Sequence, residues 1–267
     1  MTTYPIHQVW GGVHVYTAAQ APQVLQALHR YQSQPNKDLH ANLVVNVVPT
    51  NDTVLLTLVY LKPVERPAAY APFYGLNPIL EQTGIMPLST LLTLFPDPSL
   101  PRWSWWTTSF KPDSALYDQI GNLVATAPET ATIRALTGGT LVATVQPITE
   151  NAVLAGRQAN SVGGNALGLQ AVNQTWFALN AGWWHAADDG VANAAVESLL
   201  SKAKSLAEAA GEQIEYLFMN DANAKQEVIG SYGKRNARRL AAVREAYDPL
   251  GVFTRLVRGG QKIPDVF

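Results

Sequence analysis

Tyr216, His14 and Asn220 are the side chains of this chain best suited to move or hold a proton. A phenol donates a hydrogen bond and, with its pKa shifted, serves as an acid or base near neutrality. Imidazole titrates there without help. A carboxamide donates and accepts at once. Beside these three stand Asn42, Asn46, Thr144, Gln146, Trp176, Asn180 and Phe218. That set of uncharged polar and aromatic groups suits a neutral small molecule better than an ion. Each residue also has an ordinary structural use. A buried tyrosine with a satisfied hydroxyl or a lone histidine on a strand explains itself without a ligand.

Other chemistries are excluded by what is missing. The chain has no cysteine, so it has no thiolate nucleophile, disulfide or thiolate metal site. His7, His14, His29, His40 and His185 show no His-x-x-x-His spacing, and no metal is expected. The glycines at 163 and 164 lack the Lys and Ser/Thr that complete a P-loop, and no Gly-x-Ser-x-Gly elbow occurs. His185 with Asp188 or Asp189 reads equally well as a helix-capping loop.

The candidates are positioned mainly by strands, on which successive side chains point to opposite faces. The segment at 40–48 separates Leu43, Val45 and Val47 from Asn42 and Asn46. The one at 139–147 separates Leu141, Ala143 and Val145 from Thr144 and Gln146, and that at 175–184 separates Phe177, Leu179 and Ala181 from Trp176 and Asn180. A strand expected over 213–220 sets Leu217 and Met219 against Tyr216, Phe218 and Asn220. His14 shares its strand face with Trp10, Gly12 and Tyr16. Further strands are expected at 53–61 and 103–110, and residues 63–101 read as short helices and loops. Helices are expected at about 18–32 and 113–126, from Asp188 or Asp189 to Gly211, and over 232–247. Strands that come in adjacent pairs as well as alternating with helices predict an α+β fold, a large and mostly antiparallel sheet with helices on one face.

Composition agrees. Of 267 residues, 47% are hydrophobic and 15% charged, with a formal net charge of −1. No basic excess points to nucleic acid. No secretory leader is recognisable, and no apolar run reaches the roughly 20 residues that span a bilayer. A soluble, cytoplasmic protein is the expectation.

Several motifs, in order, resemble the substrate-binding half of fungal berberine-bridge-type FAD-linked oxidoreductases. They are Phe-Met-Asn-Asp-Ala at 218–222, Ser-Tyr-Gly at 231–233, Asn236, Leu240, Tyr-Asp-Pro-Leu-Gly-Val-Phe at 247–253 and Gly-Gly-Gln-Lys at 259–262. Trp-Gly-Gly at 10–12 resembles the start of the same domain, and Gly-Gly-Asn-Ala-Leu-Gly-Leu at 163–169 one of its interior loops. The resemblance implies an antiparallel sheet whose open face covers the reactive ring of a flavin held mainly by a separate N-terminal domain. Residues 3–7 resemble the last strand of that domain, so the expectation is a single substrate-binding domain, residues 1–267, without an FAD-binding domain or any cofactor of its own. Phe218 stands where the family often has tyrosine in a Tyr-x-Asn motif. Tyr216, two residues earlier, is the substitute expected there, and Asn220 keeps the amide that in the family approaches the flavin.

Three functions are compatible with this reading. The first is a cofactor-independent, redox-neutral cyclase, isomerase or pericyclase acting on a polyketide- or terpenoid-like molecule of fungal secondary metabolism. The second is the substrate half of a split FAD-dependent oxidoreductase, and the third a non-catalytic binding protein or scaffold. All three leave a sheet face to be covered, and a homodimer through that face is expected.

Overall fold

Alternating β-branched and apolar residues build most of one large sheet. The computed structural model describes residues 6–35, 37–94, 99–158, 165–257 and 259–264. Its strands are β1 (Val9–Thr17), β2 (Ala41–Val48), β3 (Thr53–Tyr60), β4 (Leu80–Met86), β5 (Arg102–Phe110), β6 (Thr140–Ile148), β7 (Gln174–Trp183) and β8 (Gln213–Ile214). They form one eight-stranded sheet in the order β4-β1-β3-β2-β6-β7-β5-β8. Every neighbouring pair is antiparallel, as the α+β reading requires.

The helices are α1 (Ala21–Ser33), α2 (Leu88–Leu92), α3 (Ser114–Thr126), α4 (Pro128–Arg134), α5 (Glu150–Gln158), α6 (Asp189–Ala209), α7 (Val228–Ser231), α8 (Lys234–Tyr247) and α9 (Val252–Arg255). Asp113 caps α3 by accepting from the Leu116 N–H at 2.8 Å. Pro128 opens α4, where its missing N–H costs nothing. Asp189 does not cap α6; it pairs with Arg102 and accepts from the Trp183 indole at 2.9 Å. Helices α1, α3, α4 and α6 bury their apolar stripes on one sheet face, where Leu28, Leu116 and Leu199 meet Leu43, Leu56 and Phe177.

Two strands depart from the sequence expectation. β4 lies inside the stretch read as loops and short helices. It runs Leu-Glu-Gln-Thr-Gly-Ile-Met, with little alternation to announce it, and is held at the sheet edge by backbone pairing with β1. β8 is two residues long, against an expected strand over 213–220. After Ile214 the chain leaves the edge of β5, and the Gln226 side chain takes over part of the pairing. It accepts from the Thr107 N–H at 3.0 Å and donates to the Thr107 carbonyl at 2.7 Å.

The second sheet face is partly covered as well. Near the ends of β6 and β7, α7, α8 and the described residues of the 165–172 loop pack on Trp176 and Ile214 through Val228, Ile229, Tyr232 and Leu240. Glycines 163 and 164 of that loop lie outside the described residues, as do residues 3–5.

Candidate functional site

The strand register sorts the side chains of the second face. It receives Val13 and Val15 from β1, Leu55 and Thr57 from β3, and Val44 and Asn46 from β2. From β6 it receives Val142, Thr144 and Gln146; from β7, Trp176, Ala178 and Asn180; and from β5, Trp105 and Thr107. No strand contributes a charged residue to this face. A solvated sheet surface of this size would carry Lys and Glu.

Three of the expected residues form a hydrogen-bonded ladder across it. The Asn180 Nδ2 donates to Thr144 Oγ1 at 3.2 Å, and the Thr144 hydroxyl donates to Asn46 Oδ1 at 2.8 Å. At the far end, the buried Asn180 Oδ1 has no partner among the described residues. An orphaned carbonyl of this kind costs about 1–3 kcal/mol unless something donates to it.

Gln146, two residues along β6 from Thr144, donates from Nε2 to Asp221 Oδ2 at 2.6 Å. Asp221 is 8% exposed and forms no ion pair among the described residues. Burial raises its pKa, against the opposing effect of the Gln146 hydrogen bond. Desolvating a carboxylate costs several kcal/mol, and one charge-assisted amide bond returns about 1.5–3. The neutral acid is therefore the favoured form over a wider pH range than for an ordinary aspartate. Asp221 belongs to the motif at 218–222, yet the sequence reading passed it over. Its signal was a carboxylate within an aromatic, amide-rich segment.

Trp176 faces Gln146 across the β6–β7 pair and stacks on Phe218 with ring centroids 4.3 Å apart. Phe218, Asn220, Tyr216, Tyr232, Leu167 and Gln261 contribute to the lining of a cavity of about 420 Å³ between the C-terminal helices and the tail. Asn220 is exposed there.

Three expected residues are placed differently. Tyr216 is 3% exposed, its ring packed against Trp176 at 5.1 Å and stacked on Tyr232 at 5.6 Å. Its hydroxyl is buried without a partner among the described residues, and burial first, then the neighbouring Tyr232 phenol, raises its pKa. The Tyr216 ring contributes to the cavity wall while its hydroxyl is buried against the aromatic stack. His14 lies on the opposite, helix-bearing face with Trp10 and Tyr16, in register with Leu56 and Glu81. Its Nδ1 is 3.1 Å from the Tyr16 hydroxyl, and its Nε2 is 3.5 Å from Glu81. Burial lowers its pKa, with Glu81 opposing and Arg66 reinforcing. The full thickness of the sheet separates His14 from the ladder, so the structure does not bring it to this site. Asn42 shares the ladder's face but sits four residues from Asn46, about 13 Å at strand rise.

No group of three or more His, Cys, Asp and Glu among the described residues is arranged to hold a metal. None of the described helices is long and apolar enough to cross a membrane.

The fold is shared with solved structures at TM-scores that define its class. A berberine-bridge-like protein of Physcomitrella patens matches at TM-score 0.67, with 12% identity, over 97% of this chain and 54% of its own. The 6-hydroxy-D-nicotine oxidase of Arthrobacter nicotinovorans matches at 0.65, with 15% identity, over 97% and 55%. No family model matches the chain. Curated fungal proteins do. Bifunctional solanapyrone synthase of Alternaria solani is 29% identical over 98% of this chain and 50% of its own length. An FAD-dependent monooxygenase of Aspergillus niger is 32% identical over 96% and 44%, and one of Arthrobotrys oligospora 31% over 92% and 47%. The chain shares its fold with berberine-bridge-like proteins and is similar in sequence, along nearly all of its own length, to fungal FAD-dependent monooxygenases. It spans about half the length of the curated relatives it matches.

A flavin dinucleotide needs a flat apolar slot for its ring and donors, usually helix N-termini or cations, for two phosphates. The uncharged sheet face fits the ring. Its strands supply no Lys or Arg and no glycine-rich cradle at a helix start, so the described residues of this face do not fit the phosphates.

Proposed function

We propose that this chain binds an uncharged polyketide- or terpenoid-like molecule on the second sheet face and promotes a redox-neutral step there, a cyclisation, isomerisation or pericyclic reaction. The observation that carries this reading is the face itself, without a charged strand residue and crossed by an amide–hydroxyl ladder with an unpartnered acceptor at Asn180. Such a surface favours a neutral ligand that brings its own hydroxyl or carbonyl groups. It would act by holding one reactive conformer and stabilising charge that develops on an oxygen. The name of one relative, a bifunctional synthase, is compatible with chemistry beyond simple oxidation.

A second reading has its own support. The chain covers about half of relatives named as FAD-dependent monooxygenases. On that reading this face contributes the substrate side of a site completed by a flavin.

Mass spectrometry separates the two. The purified protein is incubated in air with a panel of neutral polyketides and terpenoids, with and without FAD. Products of unchanged mass, formed equally without FAD, are the expected result. Products lighter by two hydrogens, formed only with FAD as O2 is reduced to peroxide, would replace the first reading by the second.

A further inference from the structure

Among the described residues, a loop brings one carboxyl group, that of Asp221, into hydrogen-bond contact with the strands of the uncharged face. The segment from Phe218 to Gln226 crosses β7, with Phe218 stacked on Trp176 and Asp221 bonded to Gln146, then rounds the free edge of β5. Beyond the edge, Lys225 lies over the Trp106 ring and 3.4 Å from Glu197 of α6, on the helix-bearing side. The one cation of this segment is thereby turned away from Asp221. Asp221 contacts Gln146, and around Gln146 the strand register places Trp176, Ala178, Asn180, Trp105 and Thr107 on the same face, none of them titratable at neutral pH. From the tail, Gln261 donates to the Asn223 carbonyl and brings no charge.

We propose that Asp221 is a hydrogen-bond donor to a carbonyl or hydroxyl oxygen of the neutral molecule held on the sheet face, an assignment that rests on the ligand-binding reading above. The Gln146 bond fixes its geometry. An amide N–H donates to Oδ2, so in the protonated acid Oδ2 is the carbonyl oxygen and Oδ1 bears the O–H. A carboxylic acid kept neutral by an apolar site is an established means of stabilising negative charge on a substrate oxygen. No bond to carbon or redox change is required: the proton stays on Asp221 and polarises the bound oxygen. Ala178, the small residue of β7 on this face between Trp176 and Asn180, is buried where the loop crosses the strand.

Two measurements on the purified chain test this. In the first, infrared spectra of wild type and Asp221→Asn are subtracted at neutral pH. A protonated-carboxyl C=O band, present in wild type and lost in the variant, is expected; its absence overturns the donor role whatever the face binds. The side-chain carbonyl of the isosteric Asp221→Asn variant still accepts from Gln146, which keeps the loop in place. In the second, Prodan, a neutral naphthyl ketone whose emission reports hydrogen bonding to its carbonyl, is titrated into wild type, Asp221→Asn and Asp221→Ala. The alanine variant should bind at least fivefold more weakly and lose the hydrogen-bonded emission, with the asparagine variant between. Equal binding and emission in all three would remove Asp221 from the site while leaving the ligand face intact. A band without any Prodan binding by wild type would overturn the ligand face, and this assignment with it.

Discussion

At the scale of single residues, burial decides which polar groups can act. The Tyr216 hydroxyl is sealed behind a stack of Trp176 and Tyr232 and has no partner among the described residues. Removing it leaves no new unpaired group, so Tyr216→Phe should leave stability unchanged or raise it by up to about 1 kcal/mol, read by urea denaturation. A loss of more than that would show a hydrogen bond absent from this structure. His14 makes the pH-dependent case. Its folded pKa is lowered, chiefly by burial, so the unfolded chain binds the proton more readily. The stability it contributes is complete above its unfolded pKa of about 6.5 and is lost as pH falls through that value toward the folded one. Between pH 7.5 and 5.5, wild type should therefore lose stability relative to His14→Asn. A difference that stays flat across that window would contradict a neutral, buried His14. Neither residue's environment was legible in advance. Strand parity correctly grouped His14 with Trp10 and Tyr16, but parity alone does not say which face the helices cover.

At the scale of elements, most of the architecture could be read from alternation. It separated Leu43, Val45 and Val47 from Asn46, and Phe177, Leu179 and Ala181 from Trp176 and Asn180, and the structure places each set on its own face. The reading failed where backbone geometry or a side chain replaced an apolar pattern. β4 has little alternation, and the expected strand after Ile214 is interrupted because Gln226 pairs with β5 in place of the backbone. Gln226→Ala would leave the N–H and C=O of Thr107 without those partners, and should cost about 1–3 kcal/mol, measured by thermal unfolding. A variant as stable as wild type would show that water replaces both bonds at no cost. The Trp-Gly-Gly motif has a steric explanation. Gly12 has φ +147°, and a Cβ there would lie 1.9 Å from the Gln82 carbonyl oxygen of β4, while one at Gly11 would lie 2.3 Å from that of Leu58. Gly12→Ala should therefore detach the β4 edge, seen as rapid amide exchange over 80–86. Retained protection there would refute the close-approach argument.

At the scale of the whole molecule, two surfaces remain to be covered. One is the half-buried centre of the second face, around Val44, Leu55 and Thr57. The other is a C-terminal patch in which Tyr247, Leu250, Phe253 and Leu256 are all at least 69% exposed. Apolar areas of this kind are uncommon on monomers. We expect a homodimer, and sedimentation at micromolar concentration should give twice the 28.9 kDa chain mass; a monomer under those conditions would contradict it. The same face supplies the most direct test of a redox-neutral function. The absorbance spectrum of the purified protein is recorded alone, and again after addition of FAD and removal of the excess by gel filtration. A colourless protein that retains no flavin is expected, because the strands of the face bring no group to hold the phosphates. A yellow protein with bound flavin would contradict that, and would make the flavin-dependent reading the better account of this chain.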